Sequence, residues 1–192
     1  MKTLATALIA VAAAATLATG PACAQATPAK LLPGSEIAFV SKQLGVPVSG
    51  VFKRFDAQIA FDARNPAASK VAFMIDTASA TIGDPDTDRE LPKAEWFASA
   101  KFPQASFQSS AVKALGGGRY EVAGTLTIKG ARRALSVPVT LAQAGTNGTA
   151  SGSFTLKRLD FRIGDGEWAD TSMVADEVQV TFKLALAGLG AP

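Results

Sequence analysis

Alternation of apolar and polar residues with a period of two runs through most of this chain, and it constrains the fold more than any other feature. Successive side chains of a strand point to opposite faces, so such a pattern buries one face and wets the other. The clearest run sets Val178, Val180, Phe182, Leu184 and Leu186 against Gln179, Thr181, Lys183 and Ala185. Tyr120, Val122, Leu126 and Ile128 alternate in the same way with Glu121, Thr125, Thr127 and Lys129. Leu135, Val137, Val139 and Leu141 follow, interleaved with Ser136, Pro138 and Thr140, and the short Lys129-Gly130-Ala131-Arg132 link between these two runs predicts a hairpin. Pro138 has no N–H to give a ladder, which predicts a bulge or a weakly paired position there.

Shorter runs pair Ile37 with Phe39, Val71 with Phe73 and Ile75, Ala105 with Phe107, and Phe154 with Leu156. Between Val46 and Asp62 the buried parity changes, from Val46, Val48 and Phe52 to Phe55, Ile59 and Phe61, so a bulge or sharp bend is expected near Lys53-Arg54. Gly116-Gly117-Gly118 and Gly145-Thr146-Asn147-Gly148 read as turns. The sum is about eight strands, which predicts an all-β fold, either an up-and-down barrel or a sandwich. Closure into a barrel has the advantage of leaving no strand edge exposed. One segment breaks the alternation: from Asp84 to Phe97, early acidic residues, Pro92 and the apolar set Leu91, Trp96 and Phe97 predict one or two short helical turns that lid the barrel mouth.

At the N-terminus, Lys2 precedes an apolar stretch from Leu4 to Leu17, and Ala22-Cys23-Ala24 supplies small residues at cleavage positions. Residues 1–24 therefore read as a secretory signal peptide cut before Gln25, leaving 25–192 as one domain. The stretch is shorter than the roughly 20 residues a membrane span needs. Lipidation at Cys23 is disfavoured because that processing wants a bulky aliphatic residue where Gly20 stands. The whole chain carries 19 basic and 16 acidic side chains, dispersed instead of gathered into a stripe, which argues against nucleic acid as a partner.

Cys23 is the single cysteine and there is no histidine. Ser-His-Asp triads, thiolate nucleophiles, His/Cys metal sites and His-ligated haem therefore have no side chains to build them in the expected mature domain, and neither a metal nor a cofactor is expected. Catalysis would have to use carboxylate, hydroxyl, Lys, Arg or Tyr groups.

Taken in order, several residue groups resemble the YceI-like polyisoprenoid-binding family of bacterial envelopes. They are Ser35-Glu36-Ile37-Ala38-Phe39, Gly50-Val51-Phe52 with Phe55-Asp56 and Phe61-Asp62, Ile75-Asp76 with Ala78-Ser79, and Asp88 with Leu91 and Trp96-Phe97. Phe102-Pro103 with Phe107 and Ser109, Gly124-Thr125-Leu126-Thr127-Ile128-Lys129-Gly130, Arg158-Leu159-Asp160-Phe161 and Asp176-Glu177-Val178 complete the series. The resemblance covers essentially all of the expected mature chain. It implies a single antiparallel lipocalin-like eight-stranded barrel in the periplasm whose lumen holds an isoprenoid, a quinone tail or a similar apolar lipid. One departure is Glu90, where many members have histidine; a change of head-group preference would follow if that position met the ligand.

The residues expected to line such a lumen are Phe39, Phe52, Phe73, Ile75, Phe107, Leu126, Ile128, Val137, Phe154 and Phe182, with Trp96 and Phe97 at the lid. Each could equally fill a solid core. Asp88 and Arg158 are candidates for a structural pair, turn-fixing groups or ligand contacts. Asp84, Asp86, Asp88 and Glu95 imitate calcium-loop spacing, but Arg89 stands where that loop needs glycine and Pro92 interrupts it, so a solvated helix start is the better reading. Asn147-Gly148-Thr149 has the glycosylation pattern, and Asn-Gly reads first as a turn. Lys129, Arg132 and Arg133 form a basic knot, read as a solvated hairpin tip or as a transient contact with an anionic membrane.

Three functions remain open on the sequence: a non-enzymatic carrier for a long isoprenoid or other apolar lipid, an envelope interaction or stress protein with a packed barrel, and an enzyme using carboxylates among Asp160, Asp165, Glu167 and Asp170. The carrier is favoured. A homodimer is the other candidate assembly.

Overall fold

The computed structural model describes residues 28–190. The expected signal segment, with Cys23 and the cleavage site, lies outside them.

Strands β1 (Pro28–Leu31), β2 (Glu36–Gln43), β3 (Val46–Phe52), β4 (Phe55–Ala60), β5 (Lys70–Asp76) and β6 (Ala80–Thr81) make up the first part of the sheet. Helix α1 (Pro85–Glu90) follows, then β7 (Gln104–Gly116), β8 (Arg119–Ile128), β9 (Ala131–Ala144), β10 (Asn147–Lys157) and β11 (Glu177–Ala187). The first six strands are halves of three bent ones. β1 and β2 lie along the same edge of β11, β1 against Leu186 and Ala187 and β2 against 179–183. β3 and β4 are separated by Lys53 and Arg54 alone, and β5 and β6 by the one-turn helix Thr77–Ser79. With each pair counted once, consecutive strands pair antiparallel all the way round, and β11 returns to the first: a closed eight-stranded up-and-down barrel.

The bends fall where the chain must change which parity faces inward. At Lys53-Arg54 the inward residue moves from Phe52 to Phe55, as the sequence predicts. The corner is fastened to the neighbouring bend, where Lys53 N–H donates to Ser79 O at 3.1 Å and Arg54 N–H to Ser79 Oγ at 3.0 Å. Arg54 also pairs with Asp76 at 2.8 Å. In β7 a register shift between Ser109 and Ala111 moves the buried side from Ala105 and Phe107 to Val112. An extra residue on one strand does this because it slips every later side chain to the opposite face.

Because the meander alternates direction, the connections at 44–45, 82–103, 129–130 and 158–176 gather at one end. Leu44 N–H donates to Met173 O at 2.8 Å and Gly164 N–H to Glu95 O at 2.8 Å, so these loops brace one another. The opposite end is floored by Phe61, whose ring meets Tyr120 edge-on at 5.1 Å, and by Leu189, which is 2 % exposed. The core divides into a cluster at the lid end and one at the floor, with Phe55, Phe73, Tyr120, Val139 and Phe182 shared between them.

One seam interrupts the wall. β10 pairs with β11 along its whole length, from Asn147 to Lys157, but with β9 only from Asn147 to Gly152. Residues 131–138 of β9 therefore pair with β8 alone. Pro138 is the first residue past the end of the shorter ladder, where its missing N–H costs nothing. One turn differs from expectation: the reversal is Gly145-Thr146, and Asn147 and Gly148 already belong to β10, opposite Ala144 and Gln143. Gly148 is there for packing, since a Cβ would come within 2.7 Å of Leu189 Cδ1.

Candidate functional site

An apolar cavity of about 250 Å³ runs along the inside of the barrel. Phe39, Phe52, Phe73, Ile75, Trp96, Phe97, Phe107, Leu126, Ile128, Val137, Phe154 and Phe182, the residues singled out by alternation and by the lid, all stand on its wall. The wall also includes residues the sequence reading left out. Ile59, Phe61, Leu184 and Leu186 lie in runs that the alternation marks, whereas Leu189 follows the last strand and had no pattern to reveal it. Ser41 and Arg158 also border the cavity, but neither presents a polar atom to the lumen, whose surface is wholly hydrocarbon and aromatic.

Three glycines shape this space. A Cβ on Gly50 would sit 2.3 Å from the Phe39 ring and 2.7 Å from Thr81 O; on Gly124, 2.6 Å from the Phe107 ring; on Gly152, 2.6 Å from the Phe182 ring and 2.3 Å from Pro138 O. Each ring covers a glycine of the adjoining strand, which draws its bulk against the wall and away from the barrel axis.

The mouth is covered by the insertion between β6 and β7. Helix α1 is capped by Asp84, whose carboxylate accepts from Asp86 N–H at 2.9 Å, and Pro85 occupies the first turn, where no N–H is needed. Asp88 turns inward and accepts from the Thr81 hydroxyl and from Ile82 N–H at 2.7 Å, tying the helix to the wall. The Thr81 hydroxyl bond, then the Ile82 amide bond, hold its carboxyl below the usual aspartate range. These acidic side chains are thus spent on the helix start and its attachment. Leu91 and Phe97 are buried, with Phe97 edge-on to Phe52 at 5.7 Å, and Trp96 packs on Trp168 at 5.6 Å. Glu90 points outward, pairs with Lys93 at 2.6 Å and has no place on the cavity wall.

The 158–176 loop is organised by Arg158, which is 1 % exposed. Its guanidinium donates to five carbonyls: Nε to Ala175 at 3.1 Å, Nη1 to Ile163 at 2.9 Å and Gly164 at 2.6 Å, and Nη2 to Trp168 and Val174 at 2.7 Å each. Burial draws its pKa down and Asp176 opposes the shift. Asp88 and Arg158 are therefore turn-fixing groups on separate segments. Lys129 corrects the expectation of a solvated basic tip. It is 6 % exposed, with Nζ donating to Arg162 O at 2.6 Å and approaching Glu95 O at 3.3 Å and Asp165 at 3.4 Å. The turn gives Lys129 a φ of 49°, and its side chain clamps the two lid segments together. Only Arg132 and Arg133 are left exposed. Asp160, Asp165, Glu167 and Asp170 all belong to this loop and none stands on the cavity wall, so the carboxylate pair an enzyme would need is not brought to the lumen.

Comparisons with known proteins agree with this geometry. BcnA of Burkholderia cenocepacia, a solved structure, is 45% identical, with a TM-score of 0.76 over 79% of this chain and 95% of that one. A polyisoprenoid binding domain from Saccharophagus degradans, implicated in plant cell wall breakdown, shares the fold at 16% identity, with a TM-score of 0.67 over 88% of this chain and 99% of that one. Protein YceI of Escherichia coli is 40% identical over 92 residues, 48% of this chain and 46% of the relative. A UPF0312 protein of Ectopseudomonas mendocina is 34% identical over 124 residues, 59% of this chain and 63% of the relative. The chain spans about half the length of the curated relatives it matches. Residues 32–186, from just after β1 through nearly all of β11, match the model of the YceI-like domain, and the chain belongs to that family.

Proposed function

We propose that this protein is a carrier for a long apolar lipid of isoprenoid type, with a quinone or polyprenyl tail held in the barrel lumen, and that it performs no chemistry on its cargo. The observation that carries this reading is the cavity itself, hydrocarbon and aromatic over nearly its whole wall inside a closed barrel. An eight-stranded barrel is about wide enough for one slender ligand. Each methylene moved from water into such a lumen contributes about 0.8 kcal/mol before ordering costs, so a long chain binds with few polar contacts. The Saccharophagus domain, described as polyisoprenoid-binding, supports the ligand class through the shared fold. The apolar Leu4 to Leu17 stretch, followed by Ala22-Cys23-Ala24, supports export and a periplasmic site of action. The seam between β9 and β10 offers the chain a way in without unfolding the barrel.

The test is organic extraction and mass spectrometry of protein purified without detergent from a bacterial periplasm, beside Val137→Phe, which fills the lumen. The expected result is a stoichiometric isoprenoid lipid in the native protein, depleted in the folded variant. Native protein that carries no lipid and takes up neither quinone nor polyprenyl phosphate overturns the carrier.

A further inference from the structure

The turn between β2 and β3 is Leu44-Gly45, with φ of 49° and 81°. A two-residue hairpin loop with both φ angles positive suits asparagine, aspartate or glycine at its first position, because other side chains crowd the backbone in the left-handed region. Leucine is strained there, and no packing offsets the strain: Leu44 is 73% exposed, and Val46, just past the turn, is 63% exposed. Pro47 is exposed as well. Met173 of the 158–176 loop, 41% exposed, stands beside this tip, its carbonyl accepting from Leu44 N–H at 2.8 Å. Among the described residues, the remaining exposed large hydrophobics are scattered: Leu115 lies next to the β7–β8 turn at the opposite end, and Met74 on β5. Single apolar residues on a surface are ordinary, whereas several projecting together from one end mark a contact surface.

We propose that this tip docks the lid end of the barrel onto a phospholipid bilayer, with Leu44, Val46 and Met173 entering the hydrocarbon just below the head groups. The charge of the hairpin fits an anionic lipid surface. No acidic residue stands between Glu36 and Asp56, and Lys42, exposed two residues before the turn, can hold its ammonium at the lipid phosphates while its methylenes lie along the apolar side. The half-buried pair Trp96 and Trp168 lies in the lid loops at the same end, where indole rings suit the head-group layer. A second copy of the chain is a poorer occupant, because three side chains and a proline fall far short of the about 800 Å² a side that a stable dimer presents. A bilayer asks for no matching surface, only for hydrocarbon that leaves water. Docking uses outward-facing residues alone, so it stands apart from the carrier reading. With both true, the lid and the open part of the seam face the membrane from which cargo comes.

The experiment floats protein purified without detergent from a bacterial periplasm with vesicles of phosphatidylethanolamine containing a minor share of phosphatidylglycerol. Wild type is expected to float, and lipids brominated near the head group should quench its two tryptophans, Trp96 and Trp168. Leu44→Asn should weaken binding about tenfold, the value of one apolar side chain moved out of water. It should also melt no lower than wild type, since asparagine suits the turn. Adding Met173→Gln should bring binding to background. Wild type that does not float, variants that float equally well, or flotation with both tryptophans unquenched overturns the docking. A lower melting temperature for Leu44→Asn overturns it by giving the leucine to the fold. A vesicle-free dimer that Leu44→Asn dissociates gives the tip to a second copy, and flotation with native envelope vesicles but not with pure phospholipid gives it to a protein partner; each overturns the bilayer. The carrier is read separately by lipid extraction, in which Leu44→Asn is expected to hold the same cargo as wild type.

Discussion

Arg158 carries its charge into the protein interior with no carboxylate among its hydrogen-bond partners, held instead by five carbonyls drawn from residues 163 to 175. Replacing it with lysine keeps the charge but supplies three donors in place of five, leaving carbonyls unpaired. Arg158→Lys is therefore expected to cost about 3 kcal/mol, read as a lower urea midpoint. Asp88 makes a prediction about pH. A carboxyl whose folded pKa lies below its unfolded value adds stability above the unfolded pKa, near 4 for aspartate, and loses it as pH falls through the folded value. Asp88 has that direction because of Thr81 and Ile82, and Asp170 shares it because its carboxylate accepts from the Ser172 hydroxyl and amide. The lid contacts should loosen below about pH 4, reported by the fluorescence of Trp96 and Trp168. Asp88→Ala should remove part of that acid step and Asp170→Ala the rest, whereas an unchanged step in both variants would place its origin elsewhere.

At the scale of elements, period two alone identifies strands but leaves open what each inward side chain does. Phe182 reads from sequence as a lumen-lining residue that could equally fill a core, and no pattern marks Gly152. Their pairing across β10 and β11 gives both a purpose, since the ring occupies the space a Cβ would need. Gly152→Ala is expected to destabilise the barrel by about 1–3 kcal/mol, measured by denaturant unfolding, because Pro138 O is backbone and cannot step aside as a flexible side chain would. The basic knot is another case in which local reading fell short. Lys129, Arg132 and Arg133 are neighbours in sequence, but a left-handed residue at the turn sends Lys129 into the lid and leaves the two arginines outside. The expected Asn147-Gly148 turn failed for a related reason, because Leu189 rather than the turn requires a glycine at that place.

The whole barrel adds a question of access. The lid is bound down by Lys129, Asp88 and the tryptophan pair, while the wall between the upper parts of β9 and β10 has no ladder at all. Continuing the register of the shorter ladder would set Leu135 opposite Leu156, both on the cavity wall. Cysteines at these two positions, joined by a short thiol cross-linker, should slow lipid uptake severalfold relative to the same double variant left uncross-linked; an equal rate in the two forms would direct the entry path to the lid. By itself the sequence determined that the chain forms strands, which residues face inward, where β3 bends into β4, and that an insertion of different character lies between Thr81 and Gln104. These follow from side-chain alternation and turn chemistry, which act over a few residues. The tertiary structure alone decided that the inward residues surround a cavity, that β9 and β10 part, and that Arg158 and Lys129 serve the lid loops. Each of these depends on what lies across the barrel or in a distant loop, and closing a sheet brings together side chains that no local pattern relates.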